Sequence, residues 1–114
     1  MPAGEHALSG YKIMWIMSMF DLPVTTPIAR KRYARFRKLL LHNGFAQLQF
    51  SVYARCCDSE ASAEVIRKEL VRQLPPEGQV RLLFITDRQF GKMEVYHGKK
   101  QQAAEEKPRQ LELF

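Results

Sequence analysis

KIMWIMSMFD, residues 12–21, running into LPVTTPIARKRYARFRKLLLHNG, residues 22–44, decides how this chain folds. The first stretch is apolar on both alternating faces, the pattern of a central strand covered on at least part of each side. It ends at Asp21. Residues 22–27 then read as a turn in which Thr25 or Thr26 caps a helix and Pro27 takes its first position. From 27 to 43, Ala29, Tyr33, Phe36 and Leu40 recur at helical spacing and form one apolar stripe. The basic residues of the stretch fall outside that stripe. Leu39, Leu40 and Leu41 thicken the end of the helix, and Asn43-Gly44 supplies a left-handed stop.

Working outward, residues 45–55 (FAQLQFSVYAR) are β-rich, with Phe50, Val52 and Ala54 alternating against Ser51, Tyr53 and Arg55. One long bent strand and two short ones both fit. Asp58 or Ser59 can cap a second helix running to about Leu74, with Ala63, Ile66, Leu70 and Leu74 as its buried stripe. Pro75-Pro76-Glu77-Gly78 ends it, residues 79–86 (QVRLLFIT) form the next strand, and residues 93–97 a shorter one. The order β, α, β, α, β, β predicts an α+β fold, a ferredoxin-like (split βαβ) sandwich with two helices on one face of an antiparallel sheet. Residues 1–11 read as a flexible leader, 12–98 as the ferredoxin-like domain, and 99–114 as a polar linker ending in QLELF. There the alternation returns, so Leu111, Leu113 and Phe114 are expected to dock as a strand on a partner.

With 114 residues, 46% of them hydrophobic, the chain supports one core. Its longest apolar run, residues 13–20, is broken by Ser18 and falls far short of the roughly 20 residues that span a bilayer. Without a cationic segment ahead of an apolar core at the N-terminus, a cytoplasmic protein with no membrane attachment is expected. Cys56 and Cys57 are adjacent and close almost no loop, so they read as reduced thiols. His6, His42 and His97 stand alone, without the ligand spacing of a zinc site.

The net charge is +6, and its placement matters more than its size. No acid occurs between Asp21 and Asp58, whereas Arg30, Lys31, Arg32, Arg35, Arg37, Lys38 and Arg55 all lie there. Such single-sign clustering is the footprint of a polyanion binder, because Lys and Arg release the counterions of phosphates; a solvated basic face is the alternative. Asp21 closes an apolar strand at the rim of the sheet. On the residues alone it is either a turn-capping aspartate or one half of a Mg²⁺ site whose second carboxylate comes from a symmetric dimer. Asp87 closes the other long strand and reads as structural, with Arg88 beside it as an ion-pair partner. No Lys/Arg-Gly-aromatic signature marks a strand as a base-stacking platform.

Taken together, MFDLP, the basic helix RKRYARFRKLLLHNGF, LQFSVYAR, a second helix and a strand opening at Gln79-Val80 resemble the small CRISPR-associated Cas-two family, companions of the CRISPR integrase. The resemblance implies a ferredoxin-like homodimer whose first-strand aspartates, here Asp21, face one another and share Mg²⁺ or Mn²⁺. It also implies a metal-dependent endonuclease acting on RNA or DNA, with cleavage dispensable in some members. The expected partners are duplex DNA, single-stranded RNA and the integrase, in a heterohexamer or heterotetramer that acquires spacers. Ser51 and Tyr53 match the family's Ser-Val-aromatic pattern and Arg35 a helix-one arginine, while Phe20 stands where relatives often carry a Tyr. A free-standing toxin-like endoribonuclease and a non-catalytic nucleic-acid-binding module are the competing readings.

Overall fold

A computed structural model of the chain describes residues 12–108. Strand β1 (Met14–Asp21) leads through a turn into helix α1 (Pro27–His42). Strands β2 (Ala46–Gln49) and β3 (Val52–Cys57) follow, then helix α2 (Glu60–Arg72) and strand β4 (Gln79–Thr86). A short helix α3 (Asp87–Gly91) and a hairpin of β5 (Val95–His97) and β6 (Lys100–Gln102) complete the order. The four long strands pair antiparallel in the order β2-β3-β1-β4, the arrangement of a ferredoxin-like sheet.

The capping chemistry fixes both long helices. Thr26 Oγ1 accepts from the Ala29 amide ahead of Pro27 at the first turn of α1. Gly44, at φ +81°, supplies the left-handed exit. Ser59 does for α2 what Thr26 does for α1, accepting from the Ser62 amide. One face of β1, through Ile16 and Phe20, meets Phe36 and Leu40 of α1 and Ala63 and Leu70 of α2 in the main core. Leu74, expected in the α2 stripe, is exposed because the helix ends at Arg72 and Gln73 caps it.

The opposite face of β1 holds a second, smaller core. Trp15 stacks on Phe90 of α3 with ring centroids 3.8 Å apart, and Met17 and Ala54 complete the cluster. The Trp15 indole donates to Asp87 Oδ1 at 2.7 Å, and Lys107 Nζ lies 3.2 Å from Oδ2. Asp87 is therefore structural, as expected, but its cation is Lys107. Part of the stretch read as a linker is ordered differently: Lys100–Gln102 pairs with Val95–His97, and Ala104 packs beside the Trp15 cluster. Residues 1–11, read as a leader, and Leu111, Leu113 and Phe114, expected to dock as a strand, lie outside the described residues.

Two strands, not one bent strand, fill residues 45–57. Ser51 adopts φ +61° between them, a conformation costly for a residue with a Cβ, and its carbonyl accepts from the Phe20 amide at 3.1 Å. The turn takes Phe50 out of the expected alternation, leaving it 81% exposed, while Val52 and Ala54 keep to the second core and Tyr53 is buried in the main one. Among the described residues no helix is long and apolar enough to cross a membrane.

Both cysteines are free. Burial first, then the carboxylate of Asp87, pushes the Cys56 thiol up to about 12, and burial raises Cys57 as well. The fold thus favours the protonated Cys56 thiol. That contribution to stability is fully present below the ordinary value of 9.0 and is lost as pH climbs towards about 12. Both thiols are expected to resist iodoacetamide in the native protein near neutral pH and to alkylate quickly in urea; rapid native alkylation would contradict the placement.

Candidate nucleic-acid site

The C-terminal end of β1 gathers three features distant in sequence: Asp21, the Phe50-Ser51 turn held by the Phe20 amide, and the Gly78 turn that opens β4. Asp21 is exposed and pairs in register with Gln79, and Met19 pairs with Arg81. Alternation sets Asp21, Met19, Gln79 and Arg81 on the face turned away from α1 and α2, where they line a shallow depression of about 210 Å³. Arg81 is the cation nearest Asp21 in register, and it went unnoticed in the sequence because only the β1–β4 pairing brings the two together.

Gly78 fixes the backbone behind Asp21. Its φ is +86°, and a Cβ there would lie 2.6 Å from the Asp21 carbonyl oxygen and 2.7 Å from Leu22 Cδ2. Gly78→Ala is therefore expected to cost about 2–4 kcal/mol from left-handed strain and overpacking combined. Urea unfolding measures it; a loss below about 1 kcal/mol would show that the turn yields freely.

The basic residues divide by what they already hold. Arg55 donates to the Asn43 carbonyl at 2.8 Å and packs under Gly44, so it braces the end of α1. Arg37 Nε donates at 2.8 Å to the hydroxyl of buried Tyr53, the one polar atom of that ring. Arg30 donates to the Val24 carbonyl in the loop after Asp21, and Arg32 sits 3.7 Å from Glu77. Lys31, Arg35 and Lys38 are exposed on α1, and no hydrogen bond or ion pair engages them among the described residues. Those three form a free cationic row on the helix side of the sheet, whereas Asp21 belongs to the opposite face. Helix α1 starts at the Asp21 end of β1 and runs back along the sheet, so the row and the aspartate share no pocket.

Ser51 and Tyr53 serve the frame. Tyr33 Oη and Ser51 Oγ lie 3.3 Å apart, and the Phe20 ring packs among Tyr33, Phe36 and Tyr53 with centroids 5.1–5.7 Å away. Phe20 is thus a core residue that sets the strand end from inside.

Among the described residues no group of three or more His, Cys, Asp or Glu side chains could hold a metal ion. The depression at the end of β1 has one carboxylate, that of Asp21. Mg²⁺ keeps several waters and takes one or two carboxylates, so this donor fits half of a site shared between two copies.

The profile of the family described as CRISPR associated protein Cas2 matches residues 14–93. A protein of Parvibaculum lavamentivorans named CRISPR-associated endoribonuclease Cas2 is 54% identical over 101 residues, covering 89% of this chain and all of the relative. Proteins of the same name from Flavobacterium psychrophilum and Paracidovorax avenae are 45% and 41% identical, covering 96% and 94% of this chain and 97% and 99% of their own lengths.

Proposed function

The chain belongs to the CRISPR-associated Cas2 family, and from that membership we propose that it is an adaptation protein: a homodimer that binds duplex DNA through its phosphates and bridges integrase dimers during spacer acquisition. With this role goes a metal-dependent endoribonuclease site at Asp21, the activity named for its relatives. The observation that supports the reading is an exposed carboxylate closing β1 on one face of the sheet, with the free cations Lys31, Arg35 and Lys38 aligned along α1 on the other.

Two features support self-association. Strand β4 is a sheet edge, and β5 and β6 pair only with one another among the described residues, so a strand from a second copy has somewhere to add. Leu83 alternates with Arg81 on the Asp21 face and is exposed, which suits that face to a second copy of itself. Such stacking about a twofold axis sets two Asp21 carboxylates towards each other. Leu111, Leu113 and Phe114 are proposed to dock on the second copy or on the integrase.

In this arrangement Asp21 and its counterpart hold Mg²⁺ or Mn²⁺, which when bound supplies charge neutralisation at a phosphodiester and a more acidic water. Arg81, on the same face, holds a phosphate oxygen beside the carboxylate. Lys31, Arg35 and Lys38 grip the backbone of a duplex, and because phosphates carry no base code, sequence preference is weak. Light scattering of the pure protein tests the reading: a dimer mass that rises by one duplex on adding DNA supports it, and a monomer that takes up no duplex contradicts it.

A further inference from the structure

The face of the sheet turned away from α1 and α2 is divided along its length. On that face β1 and β4 meet in four rows, Trp15 with Ile85, Met17 with Leu83, Met19 with Arg81 and Asp21 with Gln79. The first row is roofed by the chain itself: Trp15 stacks on Phe90 of α3, and Met93 and Ala104 pack against the same cluster. Trp15 and Met17 are buried in consequence. The last two rows have no such roof among the described residues, and Leu83, Arg81 and Asp21 are exposed. One half of the face is closed and the other is open.

Residues 103–107 form part of the roof, as a strap without helix or strand of its own. It is fastened at Ala104, on the Trp15 cluster, and at Lys107, whose Nζ lies 3.2 Å from Asp87 Oδ2 while the Trp15 indole holds Oδ1. The charges of Asp87 and Lys107 both reach the Cys56 thiol, which sets the end of the strap near β3 as well. Elsewhere the strap borders a polar hollow of about 510 Å³ beside Met93, so its hold is concentrated at two side chains. Stacked sheets lie about 10 Å apart, and that is the thickness of one helix with its side chains. The layer that a second sheet would fill over Trp15 is therefore already taken by α3 and the strap. A second copy has room only over the Asp21 half. We propose that α3 and the strap 103–107 set the register of the homodimer: they bar a second copy from the Trp15 half, so the twofold axis passes through the open rows that contain Asp21. This rests on the homodimer reading and identifies what places its two carboxylates. Asp87 and Lys107 are positioning residues for the shared site, although they act from the opposite end of β4.

Disulfide trapping reads the register without metal or cleavage. Asp21→Cys is placed in a Cys56→Ser, Cys57→Ala background of the full chain, and in a second protein the strap is lifted by adding Ala104→Asp and Lys107→Met. A bridge needs the two Cα atoms within about 7 Å, and a slip of two residues moves one strand about 7 Å along the other. The expected result is rapid cross-linking with the strap closed and about tenfold slower cross-linking with it lifted, both proteins keeping a dimer mass in light scattering. Trp15, the only tryptophan, should shift its emission to the red when the strap lifts. Equal cross-linking rates, slow cross-linking with the strap in place, or an unshifted Trp15 emission would each overturn the proposal. So would a fall to monomer on lifting the strap, which would make the strap itself the contact between copies. A protein that is monomeric with the strap closed would remove the homodimer reading and this proposal with it. Undiminished cleavage by Asp21→Asn, by contrast, would remove the metal chemistry and leave the register as it stands.

Discussion

Purified Asp21→Asn protein is expected to lose metal-dependent RNA cleavage by about 10²- to 10³-fold, the rate equivalent of several kcal/mol of lost charge stabilisation. The substitution keeps size and shape while removing a charged oxygen ligand. Folding should be untouched, because the side chain is exposed and the backbone at this position is held by pairing with Gln79 and by the close approach of Gly78. Duplex binding should also persist, since the cations proposed to grip DNA lie on α1 across the sheet. Labelled RNA incubated with Mg²⁺ gives the rate, and a thermal melt checks the fold. Undiminished cleavage by well-folded variant would remove Asp21 from the chemistry.

The second large effect concerns the free cationic row. Lys31, Arg35 and Lys38, changed together to Ala, should weaken duplex binding and lower the log-log salt slope by about 0.9 per lost phosphate contact, about 2.7 in all. Sequence preference should not change. The structure dictates this choice of residues over the whole basic set. Truncating Arg37 strips the partner from the buried Tyr53 hydroxyl, and truncating Arg55 frees the Asn43 carbonyl, so either would confuse lost binding with lost stability. An unchanged slope in the triple variant would mean that α1 faces only solvent.

These choices mark where sequence reading ends. The strand-turn-helix unit from Met14 to His42 was legible because each signal agreed: two-sided hydrophobicity, Thr26 before Pro27, an apolar stripe and a terminal glycine. The α2 helix and β4 were legible for the same reasons. Helix α3 was missed because five residues carry no periodicity; its signal was the capping box, Thr86 with Gln89 three residues on. The turn at Ser51 was hidden, since the two-residue Phe50-Ser51 link between paired Gln49 and Val52 carries no Gly, Asn or Asp to mark it, and with it went the orientation of Phe50. The basic cluster was visible as charge, yet which arginines brace the fold depends on carbonyls and hydroxyls brought from elsewhere in the chain. Asp21 stood out at a strand end, while Arg81 became its neighbour only through the register of β4.

Two copies of this chain are proposed to join the CRISPR integrase on DNA. That assembly is tested most directly by mixing the full-length protein with purified integrase and a short duplex and measuring the mass of the complex by light scattering. The account predicts one species containing two copies of this chain, integrase and duplex, which is lost when Leu111, Leu113 and Phe114 are deleted. Separate elution of this chain from integrase, with and without the duplex, would contradict it.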